Sequence, residues 1–205
     1  MTGVTGVTGR GRYHHGDLRD ALVETAIAVL GERGAGAFSM AEASRRLGVA
    51  PSAPYRHFAD RGALLAAVAV RAAGLLGERL GQVAASGSPE QRLAAAAHAY
   101  VRFAGEERAL FQALAGSGLD KDRHPEIARA AAPAGAVFLS AAAEVAGGDQ
   151  AAAARLVSAI VATAHGHATL MLDGTFGSGR EAADAAASGA AAAARALIAG
   201  RPALA

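Results

Sequence analysis

Residues 39–58 read SMAEASRRLGVAPSAPYRHF and contain the sharpest local pattern in the chain. Ser39 followed by Glu42 matches the S-x-x-E capping box, in which two side chains satisfy two backbone N–H groups at the start of a helix. Gly48 ends this helix after about two turns, since glycine adopts the left-handed conformation that commonly closes a helix. The pattern therefore predicts a short, well-capped helix that begins after Ser39.

A second short helix follows almost at once. Pro51 and Pro54 lack a backbone N–H, so each is tolerated in the first turn of a helix and not in its interior. A third helix of the chain is therefore predicted from Pro51–Ser52 through Phe58. The intervening Leu47-Gly48-Val49 has the spacing of a helix–turn–helix unit, in which the glycine permits the tight turn.

A helix–turn–helix unit inserts its second helix into the major groove of DNA, which is about 12 Å wide. Hydroxyl groups and arginine side chains suit hydrogen bonds to phosphates and base edges. The exposed side of the predicted helix carries Ser52, Ala53, Arg56 and His57, with Tyr55 beside them. Tyr55 could instead be a core aromatic, and we expect that role for Phe58.

Strong helix formers dominate the rest of the chain, and no stretch shows the sustained alternation of a strand. Asp17 is positioned to cap a first helix, and Asp60 to cap a fourth over about residues 60–80. Glycine-rich breaks separate further predicted helices near 89–105, 107–116, 124–146, 150–172 and 180–199. We therefore expect an all-α protein.

Composition excludes several functional classes. Without cysteine there are no disulfides, and with 20 Lys+Arg against 18 Asp+Glu any contact with nucleic acid must come from a local patch. No apolar run reaches the roughly 18–20 residues of a membrane span, and residues 1–12 lack the apolar segment of a signal peptide. We expect a cytoplasmic protein without a membrane partner.

The first twelve residues are expected to form a flexible arm ending in Arg10 and Arg12. Such an arm could enter the minor groove of DNA or simply aid solubility.

The adjacent His14 and His15 point to opposite sides, so no metal is expected. Ser158 and His165 are about 10 Å apart along one helix face, too far for a catalytic hydrogen bond. We therefore expect no enzymatic activity and no cofactor.

The stretch Tyr13–Val68 resembles the DNA-binding domain of TetR/AcrR-family transcriptional regulators. The resemblance lies in the Ser39 helix start, the Leu47-Gly48-Val49 turn, Tyr55-Arg56-His57-Phe58, and Arg61 before Ala63-Leu64-Leu65. The opening Tyr13–Leu18 resembles a subgroup whose C-terminal effector domain carries a Trp-His-Gly signature. Ala164-His165-Gly166 stands at the corresponding place, without the tryptophan.

The resemblance implies roles at individual positions. Ser39 would contact a phosphate at the start of the second helix, and Ser52 and Ala53 would face the groove. The hydroxyl of Tyr55 would bind a phosphate, Arg56 and His57 would lie at bases or backbone, and Arg61 would bind a phosphate where the family usually has lysine. Pro54, where the family often has Leu or Val, should make the third helix short and stiff.

The resemblance also implies a division into a DNA-binding domain, residues 13–60, and a domain for effector binding and dimerisation, residues 61–205. Side chains of this second part are either core residues or effector contacts: Tyr100, Phe103, Phe111, Phe138, His165 and Met171. Sparse charge over residues 98–172 favours an apolar or weakly polar effector.

We expect the last two helices to form a four-helix bundle with a second copy. An apolar stripe on the first of them would pair the copies: Leu156, Ile160, Ala164, Ala168 and Met171.

The sequence thus predicts a ligand-responsive transcriptional regulator, a repressor that binds a pseudo-palindromic operator in double-stranded DNA as a homodimer. Its partners would be DNA, a small-molecule effector and a second copy of the chain. A helical small-molecule-binding protein or enzyme on the same fold, without operator binding, is the alternative from another class. A third reading is an activator or architectural DNA-binding protein that has no ligand and a filled C-terminal core.

Overall fold

The computed structural model describes residues 15–200, apart from residues 35, 37, 116, 117 and 120, and the predicted arm over residues 1–12 lies outside this range. The expectation of an all-α fold is confirmed. Over the described residues the chain forms eight α-helices: α1 His15–Arg33, α2 Met40–Leu47, α3 Arg61–Val83, α4 Pro89–Glu106, α5 Arg108–Ala115, α6 Pro125–Val145, α7 Gln150–Leu172 and α8 Gly179–Ala199.

Short-range capping signals place most of these helix ends close to where the sequence predicts them. Asp149 accepts the backbone N–H groups of Ala151 and Ala152 at 2.9 and 3.0 Å, and α7 spans the predicted residues 150–172. At the start of α4, Ser88 and Gln91 form a complete capping box. The first helix differs, because α1 begins at His15 and Asp17 lies inside it.

The N-terminal part is built by α1, α2 and the first turns of α3. Leu22 and Leu30 of α1 are fully buried against Leu64 and Leu65 of α3, and Phe38 closes the core from the loop before α2. Helix α3 is long enough to continue into the C-terminal bundle, where it packs along α6. It is therefore a continuous connection between the two parts, and the domain division at residue 60 stays a prediction.

Helix α4 lies at the centre of the C-terminal bundle and contacts α3, α5, α6, α7 and α8. Its buried face is mostly alanine around Leu93, Val101 and Phe103. Small side chains allow helix axes to approach closely. Over the described part of the chain, no helix combines the length and apolar character needed to cross a membrane.

The third helix, predicted from Pro51–Ser52 through Phe58, is present only in part and is not an α-helix. The structure has a turn at residues 51–53 and a 3-10 helix over Pro54–Arg56, and Phe58 is not helical. Pro54 has no N–H to donate to the carbonyl of Ala50, so an α-helical ladder cannot form there. The chain is held mainly by tighter bonds, such as Arg56 N–H to Ala53 O at 3.2 Å and His57 N–H to Pro54 O at 3.0 Å, and Pro54 O also accepts the N–H of Phe58 at 3.0 Å.

The predicted dimer stripe on α7 is also wrong. Its residues are buried within the same chain, with exposed fractions between 0 and 9%: Leu156, Ile160, Ala164, Ala168 and Met171. The stripe forms part of the intramolecular core of the bundle. Helical periodicity identifies an apolar face correctly, but it does not tell which neighbour covers that face.

Candidate nucleic-acid interface and small-molecule groove

The start of α2 has the predicted cap in part. The Ser39 hydroxyl accepts the backbone N–H of Glu42 at 3.1 Å. The carboxylate of Glu42 turns to the arginines one turn later, with Arg45 Nε at 3.1 Å and Arg46 Nε at 2.9 Å. Ser39 is exposed and therefore accessible to a phosphate. Its expected contact with one stays a prediction.

Two carboxylates hold the arginines of α2. Hydrogen bonds from Arg45 and Arg46 lower the pKa of Glu42 to about 2. Arg46 also donates to Glu32 of α1 at 2.9 Å, and this bond lowers the pKa of Glu32. The cluster therefore joins α2 to α1 and neutralises positive charge beside the candidate DNA-binding surface.

Gly48 provides the tight turn after α2. Its φ of 64° is left-handed, and the next N–H, that of Val49, donates back to Ser44 O at 3.1 Å. A residue with a Cβ is strained in this conformation, which explains why glycine is suited to the position. The structure therefore contains the first helix and the turn of the predicted helix–turn–helix unit.

Residues 51–58, which we call the recognition turn, are fixed by two buried side chains, Pro54 and Phe58. Between these anchors Tyr55 is 57% exposed and Arg56 is exposed, while His57 is half-buried. The guanidinium of Arg19 on α1 lies 5.1 Å from the centroid of the Phe58 ring. The turn is therefore held firmly against the domain while its central side chains point to the surface.

The predicted DNA contacts of this turn differ in their surroundings. Ser52 is exposed and Ala53 half-buried, and Arg56 forms no hydrogen bond or ion pair with the described residues. Arg61 at the start of α3 donates its Nε–H to Phe38 O at 2.9 Å and lies 6.0 Å from the centre of that ring. Arg61 thus fastens the loop before α2, and its expected phosphate contact stays a prediction.

A second concave surface lies in the C-terminal bundle between α4, α6 and α7. This α6–α7 groove has a volume of about 820 Å³. Small and aliphatic side chains dominate its lining: Tyr100, Ala132, Gly135, Ala136, Leu139, Ala154, Val157, Ser158, Val161, Ala162 and His165. Its size lies within the range of about 300–1,000 Å³ that small-molecule sites occupy.

A polar pair stands at one side of this groove. The Tyr100 hydroxyl of α4 and Nδ1 of His165 on α7 are 3.1 Å apart. The buried Phe111 packs against both rings, 5.7 Å from Tyr100 edge-on and 5.6 Å from His165. Burial raises the pKa of Tyr100 to about 12, so its hydroxyl keeps its proton at neutral pH.

The other predicted effector contacts lie elsewhere. Phe103, Phe111 and Phe138 are buried core side chains that do not line the α6–α7 groove, and the guanidinium of Arg79 lies 5.4 Å from the centre of the Phe103 ring. Met171 lines a different cavity of about 490 Å³. Their roles as effector contacts stay predictions.

The sequence interpretation missed the aliphatic residues of the groove. Val157 and Val161 of α7 line it together with Ala154 and His165, at intervals of three or four residues. This spacing marks a second face of α7, adjacent to the buried stripe. The periodicity could have revealed that face, but its apolar side chains are small and the larger core residues dominate the pattern.

Two family models match the chain. The model described as "Bacterial regulatory proteins, tetR family" matches residues 22–68, and the one described as "Tetracyclin repressor-like, C-terminal domain" matches residues 93–197. The second covers more than half of the chain. Neither description refers to the Trp-His-Gly subgroup, so membership of that subgroup stays a prediction.

Solved structures share the fold over nearly the whole length. A protein of unknown function from Rhodococcus sp. RHA1 has 27% identity and a TM-score of 0.72, covering 91% of this chain and 98% of that one. A tetR-family regulatory protein from Rhodococcus RHA1 has 19% identity and a TM-score of 0.67, and the match covers 88% of this chain and 96% of that one. The TetR-family regulator PfmR from Thermus thermophilus has 17% identity and a TM-score of 0.64, and the match covers 86% of this chain and 96% of that one. No curated protein matches the chain.

Proposed function

Because the chain belongs to the TetR family of DNA-binding transcriptional regulators, we propose that it is a repressor that binds a pseudo-palindromic operator as a homodimer and releases it when a small molecule binds. The observation that carries the proposal is the outward display of Tyr55 and Arg56 between two buried anchors. An exposed hydroxyl and an exposed guanidinium on an anchored backbone are suited to phosphates and base edges.

In this proposal each subunit presents one recognition turn to the major groove. Tyr55 donates its hydroxyl to a phosphate, and Arg56 binds a base edge or a phosphate. Ser39, Ser52, Ala53, His57 and Arg61 complete the surface, as expected from the sequence. One such unit covers only a half-site, so a stable complex needs two units related by a two-fold axis.

We place the dimer interface on the outer faces of α7 and α8. The exposed side of α8 carries small side chains at helical spacing: Ala185, Ser188, Ala192, Ala196 and Ala199. On α7 the exposed positions outside the α6–α7 groove include Ala151 and Leu170. Small residues on both helices would let two copies approach closely and form a four-helix bundle.

The effector would occupy the α6–α7 groove, whose walls include the predicted contacts Tyr100 and His165. Helix α6 packs along α3, and α3 begins directly after the recognition turn. A ligand that favours one position of α6 would therefore bias the position of α3 and the separation of the two recognition turns. Couplings of this kind are typically about 1–3 kcal/mol.

A mobility-shift assay on the region flanking the gene tests the proposal. Tyr55→Phe should weaken operator binding by up to about tenfold for each of the two half-sites, the value of one lost hydrogen bond per subunit. Arg56→Ala should weaken it further and lower the salt dependence, because each lost phosphate contact reduces the slope of log K against log salt by about 0.9.

The matched control is Arg180→Ala, which removes an exposed arginine at the start of α8, far from the recognition turn. All three variants should melt like the wild type, since these side chains are exposed. Wild-type DNA binding by both Tyr55→Phe and Arg56→Ala would show that the recognition turn is not the DNA-binding element.

A further inference from the structure

We infer that the effector is an uncharged, elongated apolar molecule with a single hydrogen-bonding head group, bound in the α6–α7 groove with its head at Tyr100 and His165. The inference rests on the proposed function, because it takes this groove as the effector site. It adds the chemical class of the ligand, which follows from the charge, shape and hydrogen-bonding capacity of the walls.

The charge of the walls is the first observation. Eleven described residues line the groove, and none of them is Asp, Glu, Lys or Arg. A carboxylate or an ammonium group bound there would give up part of its hydration without gaining an ionic partner among these residues, which is unfavourable. The aliphatic lining, represented by Leu139, Val157 and Val161, favours hydrocarbon instead.

The shape of the groove is the second observation. Its lining runs along α7 from Ala154 to His165, which is about 16 Å at the rise of 1.5 Å per residue. On α6 the lining positions are mostly small, and a Cβ added at Gly135 would meet no atom within 4 Å. An extended chain therefore fits the free space better than a compact one.

The polar pair gives the third observation. Tyr100 and His165 share one hydrogen bond, whose direction depends on the tautomer of the histidine. If the hydroxyl donates to Nδ1, the neutral ring carries its proton on Nε2; if Nδ1–H donates, the hydroxyl proton is left for another acceptor. Either arrangement leaves one donor for a ligand, and Phe111 packs against both rings and limits their movement. One such donor matches one polar head group at this end of the groove. The other hydroxyl among the described lining residues, that of Ser158, lies two turns away along α7.

Calorimetric titration of the full chain at neutral pH with three probes of equal chain length tests this class. 1-Octanol should bind, whereas octanoate and octylammonium should bind at least tenfold more weakly, because only their ionised heads differ. Equal or tighter binding of either ionised probe would overturn the inference, and so would the absence of octanol binding.

Variants locate the bound octanol. Ala136→Leu fills the groove from α6 and should weaken octanol binding at least tenfold, while Ala128→Leu adds the same side chain at an exposed position of α6 outside the groove and should leave it unchanged. The double variant Tyr100→Phe/His165→Phe removes both possible donors, so it should weaken octanol roughly five- to tenfold, as expected for one hydrogen bond, and should not weaken octane. An unchanged octanol affinity in Ala136→Leu would place the ligand elsewhere and contradict the inference.

The same samples separate this inference from the proposed function. If octanol binds as described but leaves the mobility shift of the operator unchanged, the ligand class stands and ligand-controlled release of DNA fails. If octanol does not bind and Ala136→Leu changes the sedimentation of the protein, the groove is a contact between two copies, and the inference is wrong.

Discussion

Arg56 and Arg61 show how position decides what a side chain can do. The two arginines are five residues apart, and the sequence predicts both at DNA. Arg56 projects from the recognition turn, whereas Arg61 donates to the carbonyl of Phe38 and lies near its ring. A charged donor that satisfies a backbone carbonyl stabilises the fold, so the two residues should differ in how they affect stability.

Arg61→Ala should therefore lower the melting temperature as well as weaken operator binding. The lost charge-assisted bond to Phe38 O corresponds to about 1 kcal/mol, or about 2–4 °C for a chain of this size. Circular dichroism melting of Arg61→Ala beside Arg56→Ala measures the difference. Equal melting temperatures would show that the bond from Arg61 to Phe38 O does not stabilise the fold.

At the scale of elements, the junction of α1 and α2 depends on a shared carboxylate. Glu42 of α2 accepts hydrogen bonds from Arg45 and Arg46, and Arg46 also reaches Glu32 of α1. A folded-state pKa below the ordinary value of 4.5 means that the ionised form of Glu42 stabilises the fold. This contribution is complete above about pH 4.5 and is lost as the pH falls towards about 2.

Glu42→Gln should consequently lower the melting temperature at pH 7, and the difference from wild type should disappear as the pH approaches 2. Glu181→Gln on α8 is the control, because that exposed carboxylate forms no ion pair with the described residues. Thermal melts at a series of pH values measure both. A difference that persists unchanged to pH 2 would show that ionisation of Glu42 is not the cause.

The crossing of α3 and α6 depends on one glycine. A Cβ added at Gly77 of α3 would lie 3.3 Å from Cβ of Pro133 and 3.4 Å from the backbone nitrogen of Ala134. A proline ring and a backbone atom cannot move aside easily. At Gly74, one turn earlier on α3, an added Cβ would meet nothing within 4 Å.

The same substitution at these two glycines should have opposite effects. Gly74→Ala should stabilise the protein by about 0.5–1 kcal/mol through helix propensity. Gly77→Ala should destabilise it, because the contact with α6 outweighs that gain. Urea unfolding of the pair gives the comparison, and equal stabilities would show that α3 and α6 have spare room at their crossing.

At the scale of the whole molecule, α3 connects the surface that would read DNA with the bundle that would bind the effector. It begins beside the recognition turn, packs along α6 and contacts α4 and α5. A shift in α6 can therefore reach the recognition turn through packed helices. Such a shift controls operator binding only if two turns are held at a fixed separation, which requires the dimer.

Ala192→Glu tests that requirement. Ala192 is exposed on α8, so the substitution should leave the monomer fold intact while placing two like charges together at the proposed interface. We expect sedimentation as a monomer and at least a tenfold loss of operator affinity. Ala85→Glu, at an exposed position after α3, should remain dimeric. A dimeric Ala192→Glu protein would require another interface.

The helices themselves can be predicted from the sequence because caps and breakers act over a few residues. Asp149 caps α7 with its own side chain, and Gly48 closes α2 through its left-handed backbone. The conformation of the recognition turn is only partly determined by such local signals. The sequence predicts its position but not its form, since Pro54 fits the first turn of an α-helix and of the 3-10 helix that is observed.

Pairings between distant residues needed the tertiary structure. Tyr100 and His165 are 65 residues apart in the chain, and nothing local to either predicts a 3.1 Å contact. The stripe on α7 is recognisable as apolar, yet only packing shows that it faces α4 and α8 of its own chain rather than a second copy. Local sequence determines backbone conformation, whereas the burial of a face depends on the free energy of packing the entire bundle, in which every helix competes for the same neighbours.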